Sequence, residues 1–112
     1  IFESYVFSEI YKSYWNAGKE PPIFYYRDKD QKEIDLLIYQ NGVLSPIEIK
    51  KAASPGRGAI KNFHVLDRVC TTKDFGGMET LKVQLGAGSV ICMASDLLPV
   101  DEKNWYVPVW LI

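Results

Sequence analysis

The stretch EIDLLIYQNGVLSPIEIK, residues 33–50, decides the fold. Its centre, Asn41-Gly42, is the dipeptide most typical of a two-residue β-hairpin turn, because both turn positions need positive φ. With that turn, Asp35 faces Glu48 across the hairpin. Lys50 follows Glu48 by two residues and shares its face, whereas Ile49 points to the other face. On the first strand, alternation places Ile34, Leu36 and Ile38 on one face and Glu33, Asp35, Leu37 and Tyr39 on the other.

The facing carboxylates predict a metal site. Two carboxylates at directly facing positions of a hairpin repel each other unless a cation compensates their charges. Mg²⁺ or Mn²⁺ prefers oxygen ligands, so we expect Asp35, Glu48 and the Ile49 carbonyl to bind one of them. Such an ion lowers the pKa of a bound water that can attack phosphorus, and Lys50 would orient that water or neutralise the developing charge. The predicted catalytic residues are therefore Asp35, Glu48 and Lys50.

A further metal ligand is expected from the first helix. Glu3 and Glu9 are the candidates, and Glu3 is preferred because it flanks the apolar stripe. The alternative for the whole hairpin is an ordinary surface ribbon, in which Glu33 faces Lys50 and forms an ion pair worth a few tenths of a kcal/mol. Against it, the rest of that face is apolar: Leu37, Tyr39, Leu44 and Pro46.

Outward from the hairpin, the spacing of apolar residues and the positions of glycine and proline predict one α/β domain over residues 1–112. A mixed central sheet flanked by helices is expected. The predicted elements are a helix over 1–17 stopped by Gly18, a strand over 23–26, the hairpin, a loop over 52–58, a helix over 59–70, a short strand with Leu81, Val83 and Leu85, a buried strand over 89–94, and an edge strand over 105–112 interrupted by Pro108.

Composition excludes several classes of function. Lys and Arg number 13 against 14 Asp and Glu, so the chain does not bind nucleic acid by charge alone. The one histidine excludes a histidine zinc cluster, and no Walker motif is present. The two cysteines, Cys70 and Cys92, form no metal pattern and favour a reduced, cytoplasmic setting. No apolar run is long enough to span a membrane.

Two weaker sets of residues could contact nucleic acid. Arg57, Lys61 and Arg68, with His64, fall along one face of the second predicted helix and could grip phosphates, although a solvated basic face is the commoner outcome. Tyr25, Tyr26 and Trp105 could stack on bases, although such aromatics more commonly belong to the core or its rim.

Three segments together resemble a known superfamily. They are FYYRD at 24–28, EIDLLI at 33–38 and PIEIKK at 46–51. They resemble the PD-(D/E)XK nucleases and, more narrowly, a C-terminal domain of unknown function found in AAA-type ATPases of bacteria and archaea. The resemblance covers nearly the whole chain. It implies a restriction-endonuclease-like fold of order α-β-β-β-α-β(-β), with Asp35, Glu48 and Lys50 at the metal and catalytic positions and Glu3 as the acidic residue of the first helix.

The departures from the motif narrow the expected activity. Ile34 stands where the motif has proline, which is common in the superfamily. The second helix lacks the Gln and Tyr pairing of exonuclease-like relatives, which argues against processive exonuclease activity. We expect a Mg²⁺-dependent endonuclease domain, excised from the C-terminal part of a longer ATPase, with nucleic acid as partner. The alternative is a catalytically silent module that binds nucleic acid or a protein and regulates the attached ATPase.

Overall fold

A computed structural model of the chain describes residues 1–67 and 83–112. Besides the α-helical residues 65–67, one α-helix and seven strands are found in this part, together with short 3-10 helices at Arg57–Ile60 and Val109–Leu111. The elements are α1 (Phe2–Asn16), β1 (Ile23–Arg27), β2 (Glu33–Gln40), β3 (Val43–Ile49), β4 (Gln84–Leu85), β5 (Gly88–Cys92), β6 (Leu98–Pro99) and β7 (Asn104–Pro108).

The strands form one mixed sheet, as the sequence predicted. Its order is β1-β2-β3-β5-β7-β6, and β4 pairs with β3 beside this path. Neighbours are antiparallel from β1 to β3 and between β6 and β7, whereas β3, β5 and β7 run parallel. The parallel strands β3 and β5 therefore occupy the centre of the sheet, where both faces are covered.

The predicted hairpin turn is confirmed. Asn41 and Gly42 have φ of 55° and 77°, the positive values that a type I′ turn requires. Gln40 pairs with Val43, and the register continues to Leu36 opposite Ile47. The next facing positions along both strands are Asp35 and Glu48.

A β-bulge in β2 interrupts the expected alternation. Phe24 pairs with Leu37 and Tyr26 with Ile34, so Tyr25 alone stands opposite two residues, Asp35 and Leu36. Ile34 consequently packs in the same cluster as Leu37. The prediction that Ile34 shares a face with Leu36 is wrong, because the extra residue reverses the alternation.

Two layers cover the sheet. On one face, Val6 and Ile10 of α1 pack against Leu36, Ile47 and Ile49. On the other face, Phe63 and Leu66 pack against the cluster of Ile34, Leu37 and Leu44. Gly88 marks a close approach at this second face, since a Cβ there would overlap Phe63 and Asn104.

The second predicted helix begins differently. The chain forms a 3-10 turn at Arg57–Ile60 and further turns before α-helical residues appear at 65–67. The stretch before residues 65–67 contains Pro55, Gly56 and Gly58, which are poor helix formers. Residues 68–70 of the prediction, and Leu81 of the short strand, lie outside the described residues, whereas Gln84–Leu85 forms that strand's described part.

The last strand was predicted to be an edge, and this is wrong. β7 lies between β5 and β6. Pro108 does not prevent this, because it ends the strand rather than interrupting it, and a 3-10 helix follows. Within the described ranges, no helix has the length and apolar character needed to cross a membrane.

Candidate metal and catalytic site

Asp35 and Glu48 meet where β2 and β3 leave their ladder. The Asp35 N–H donates to Glu48 Oε1 at 3.3 Å, and the Ile49 N–H donates to Asp35 Oδ2 at 2.9 Å. Each carboxylate thus takes a backbone donor from the opposite strand. The hairpin register and the bulge together place the two acidic groups side by side, as the sequence predicted for this pair.

Glu48 is the only buried charged residue in the described part of the chain, with 8% of its surface exposed. It lies beside the fully buried Val90 of β5. Burial, and after it the charge of Asp35, raises the pKa of Glu48 from 4.5 to about 7. The Asp35 N–H and Lys50 act in the opposite direction. Glu48 therefore carries a poorly compensated negative charge when it is ionised.

Lys50 lies close to the pair. Its Nζ is 3.6 Å from Glu48 Oε2, and its side chain is 48% exposed. Glu33, its partner in the surface-ribbon alternative, instead contacts Arg27, whose Nε lies 3.3 Å from Glu33 Oε1. The structure brings Asp35, Glu48 and Lys50 together and does not form the Glu33–Lys50 pair.

The first helix contributes no third carboxylate to this pair. Val6 and Ile10 of α1 pack against the hairpin, and Tyr14, near the end of α1, contacts Gln40 beside the turn. Glu3 is nevertheless exposed, and among residues 1–67 and 83–112 no three acidic, histidine or cysteine side chains are grouped closely enough to hold a metal ion. Glu9 contacts Lys12 on its own helix at 3.5 Å.

Of the residues predicted to grip phosphates, Arg57 and Lys61 lie in the described part of the chain. The Arg57 guanidinium donates to the Val100 carbonyl at 3.0 Å and lies near Asp101. Lys61 is exposed on a turn, and Arg68 lies outside the described residues. Arg57 is therefore engaged with the loop that follows β6 and does not point freely to solvent.

Sequence reasoning missed the surroundings of Asp35 on β1. Tyr25 stands opposite Asp35 at the bulge, and Arg27 follows on the same face of the strand. The pKa of Tyr25 is raised first by reduced water contact, then by the nearby Glu33 carboxylate, and also by Asp35. In the sequence, Tyr25 is only one member of an aromatic run. Its position opposite Asp35 depends on the bulge, which the sequence pattern does not show.

A cavity of about 240 Å³ lies elsewhere on the surface. Phe63, His64, Gly86 and Asn104 are among its lining residues, whereas Asp35 and Glu48 are not. Asp35 and Glu48 instead follow the last paired residues of the β2–β3 ladder, Leu36 and Ile47.

One comparison with known proteins gives a family. A model of a domain of unknown function, DUF4143, matches residues 1–112, the whole of this chain. Neither a curated protein nor a solved structure matches it. The chain therefore belongs to the DUF4143 family.

Proposed function

We propose that this domain is a Mg²⁺- or Mn²⁺-dependent endonuclease that hydrolyses phosphodiester bonds in nucleic acid. The observation that carries the proposal is the buried Glu48 beside Asp35, with the Lys50 ammonium 3.6 Å from Glu48. Burying a carboxylate next to a second one costs stability, and clusters of this kind are concentrated at functional sites.

The donor set fits a hard divalent ion. Asp35 and Glu48 supply carboxylate oxygens from adjacent strands, and the Ile49 carbonyl is available from the same segment. Mg²⁺ commonly binds one or two carboxylates and retains several waters, so a third acidic ligand is not required. When bound, such an ion supplies a water of lowered pKa and stabilises negative charge at phosphorus.

The chain's own groups would then perform three tasks. The Ile49 N–H holds the Asp35 carboxylate in a fixed orientation through its 2.9 Å hydrogen bond. Burial and Asp35 raise the pKa of Glu48, and a bound cation would favour its ionised form. Lys50, half exposed, can reach a substrate phosphate and offset the charge that develops there.

The fold supports the same proposal. An antiparallel β1-β2-β3 unit followed by the parallel strand β5, with α1 on one face, agrees with the restriction-endonuclease-like order that the sequence resemblance implies. We extend the proposal to a cytoplasmic protein in which this domain is joined to an AAA-type ATPase module, as in the family that it resembles. Nucleic acid is the proposed partner.

Cleavage assays test the proposal. The full-length protein that carries the domain is incubated with DNA and with RNA, in Mg²⁺ and in Mn²⁺. We expect cleavage that Asp35→Ala lowers by at least about 100-fold, since removing a metal ligand disables the water it activates. Asp96→Ala, an exposed carboxylate outside the site, is the matched control and should cleave like wild type. Equal cleavage by wild type and Asp35→Ala would refute the proposal.

One observation favours a second function. Both carboxylates already accept backbone hydrogen bonds, and the described residues group no third acidic side chain with them. A catalytically silent module that binds nucleic acid or a protein and regulates the ATPase is compatible with this arrangement. Calorimetry separates the two functions: no Mg²⁺ or Mn²⁺ binding at millimolar concentration, with or without DNA, supports the silent module.

A further inference from the structure

A planar, exposed surface borders the proposed site on β1. Tyr25 has 60% of its surface exposed although it stands opposite Asp35. Glu33 lies near the Tyr25 hydroxyl and raises its pKa, and Glu33 also contacts Arg27 at 3.3 Å. Arg27 in turn donates to Gln31 at 2.8 Å. An exposed aromatic ring and a guanidinium thus lie on the same face of β1, with the ring opposite Asp35.

The surface has the chemistry of a nucleobase platform. A base stacks on an aromatic ring or on a guanidinium plane, and stacking tolerates any base sequence. The formal charge of the chain is -1, so phosphate contacts alone would provide little affinity. Stacking beside the carboxylates would supply binding energy without a basic patch. In a duplex the base faces are already covered by neighbouring base pairs, so such a platform favours an unpaired strand.

We propose that Tyr25, assisted by Arg27, binds an unpaired nucleobase next to the phosphate that reaches Asp35, Glu48 and Lys50, which makes single-stranded nucleic acid the substrate class. The inference rests on the proposed function. It adds a substrate-binding residue and a substrate class that the metal and catalytic residues do not specify.

Binding measurements test this inference separately from cleavage. Fluorescence anisotropy of labelled single-stranded DNA, single-stranded RNA and duplex DNA is recorded with the full-length protein in EDTA, so that no metal-dependent cleavage occurs. We expect Tyr25→Ala to weaken binding of single strands about tenfold, and Tyr25→Phe to bind like wild type because the ring remains. Tyr5→Ala, which removes a 54% exposed tyrosine from α1, is the matched control and should have no effect.

Salt dependence gives a second readout. Few phosphate contacts predict that raising salt from about 50 to about 200 mM lowers affinity by less than about tenfold, far less than for proteins that make many such contacts. The inference would be overturned if Tyr25→Ala bound single strands as tightly as wild type does, or if Tyr25→Phe lost as much affinity as Tyr25→Ala. Tighter binding of duplex than of single strands would also overturn it.

The failures of the two proposals are distinguishable. Tyr25-dependent binding of single strands without any metal-dependent cleavage rejects the nuclease function and keeps the binding site. Suppose instead that cleavage depends on Asp35, is equally fast on duplex and single strands, and is unchanged in Tyr25→Ala. This result keeps the nuclease function and rejects the nucleobase platform.

Discussion

Two carboxylates of this domain, Asp101 and Glu48, have opposite surroundings. Asp101 accepts hydrogen bonds from the Lys103 and Asn104 backbone N–H groups, both at 2.9 Å, and from the Asn104 amide. These donors, the Lys103 N–H foremost, lower its pKa. Glu48 accepts one backbone bond at 3.3 Å beside Asp35, and burial raises its pKa to about 7.

The comparison separates a structural carboxylate from a candidate functional one. The ionised form of Asp101 is stabilised by the turn that it builds, so its charge contributes to folding. The ionised form of Glu48 is destabilised by the fold, so its charge opposes folding unless a cation is bound. Removing each charge should therefore change stability in opposite directions.

The largest expected effect on stability is that of Glu48→Gln. Because the folded chain binds this proton more tightly than the unfolded chain, wild-type stability should fall as pH rises from 4.5 to about 7 and then level off. The loss is on the order of 3 kcal/mol. In EDTA, urea unfolding at pH 8 should show Glu48→Gln more stable than wild type, with no difference near pH 4. A variant less stable than wild type at pH 8 would contradict the raised pKa.

A divalent ion should give the next largest effect. At pH 8, Mg²⁺ or Mn²⁺ at ten times its Kd should stabilise wild type by about 1.4 kcal/mol, because it binds the folded chain alone. Thermal unfolding should show this stabilisation in wild type and in the control Asp96→Ala. It should be absent in Asp35→Ala and in Glu48→Gln. Equal stabilisation of all four proteins would place the ion elsewhere.

The smallest effect is expected for Asp101→Ala, because solvent screens this exposed turn. Its lowered pKa means that the charge stabilises the fold above the ordinary pKa and stops doing so as pH falls through the folded value. At pH 7 the variant should melt below wild type, and the gap should close in acid. A melting temperature above that of wild type at pH 7 would remove the contrast with Glu48→Gln.

The hairpin and the meeting of its two carboxylates were predictable from residues 33–50. Asn41-Gly42 specifies a turn by local geometry, and the turn sets the register that brings Asp35 to Glu48. Lys50 followed from the two-residue period of a strand. These predictions needed only residues that are close in sequence.

The features that depend on distant pairing were not predictable. The bulge opposite Tyr25 arises from how β1 pairs with β2, and periodicity within β2 alone pointed to unbroken alternation. The two-residue strand β6, which makes β7 internal, is too short to show a hydrophobic period. The hydrogen bond from Arg57 to the Val100 carbonyl joins residues 43 apart in sequence, which local periodicity does not show.

The bulge at Asp35 has a consequence for how this family can change. Asp35 and Leu36 share a single partner on β1, so one of the two is surplus to the pairing of the strands. Leu36 fills the core, and Asp35 is left for other uses. Replacing Asp35 would therefore remove the acceptor of the Ile49 N–H but no pairing between β1 and β2. The identity of residue 35 in any member should therefore report on its chemistry, whereas a preserved fold should not.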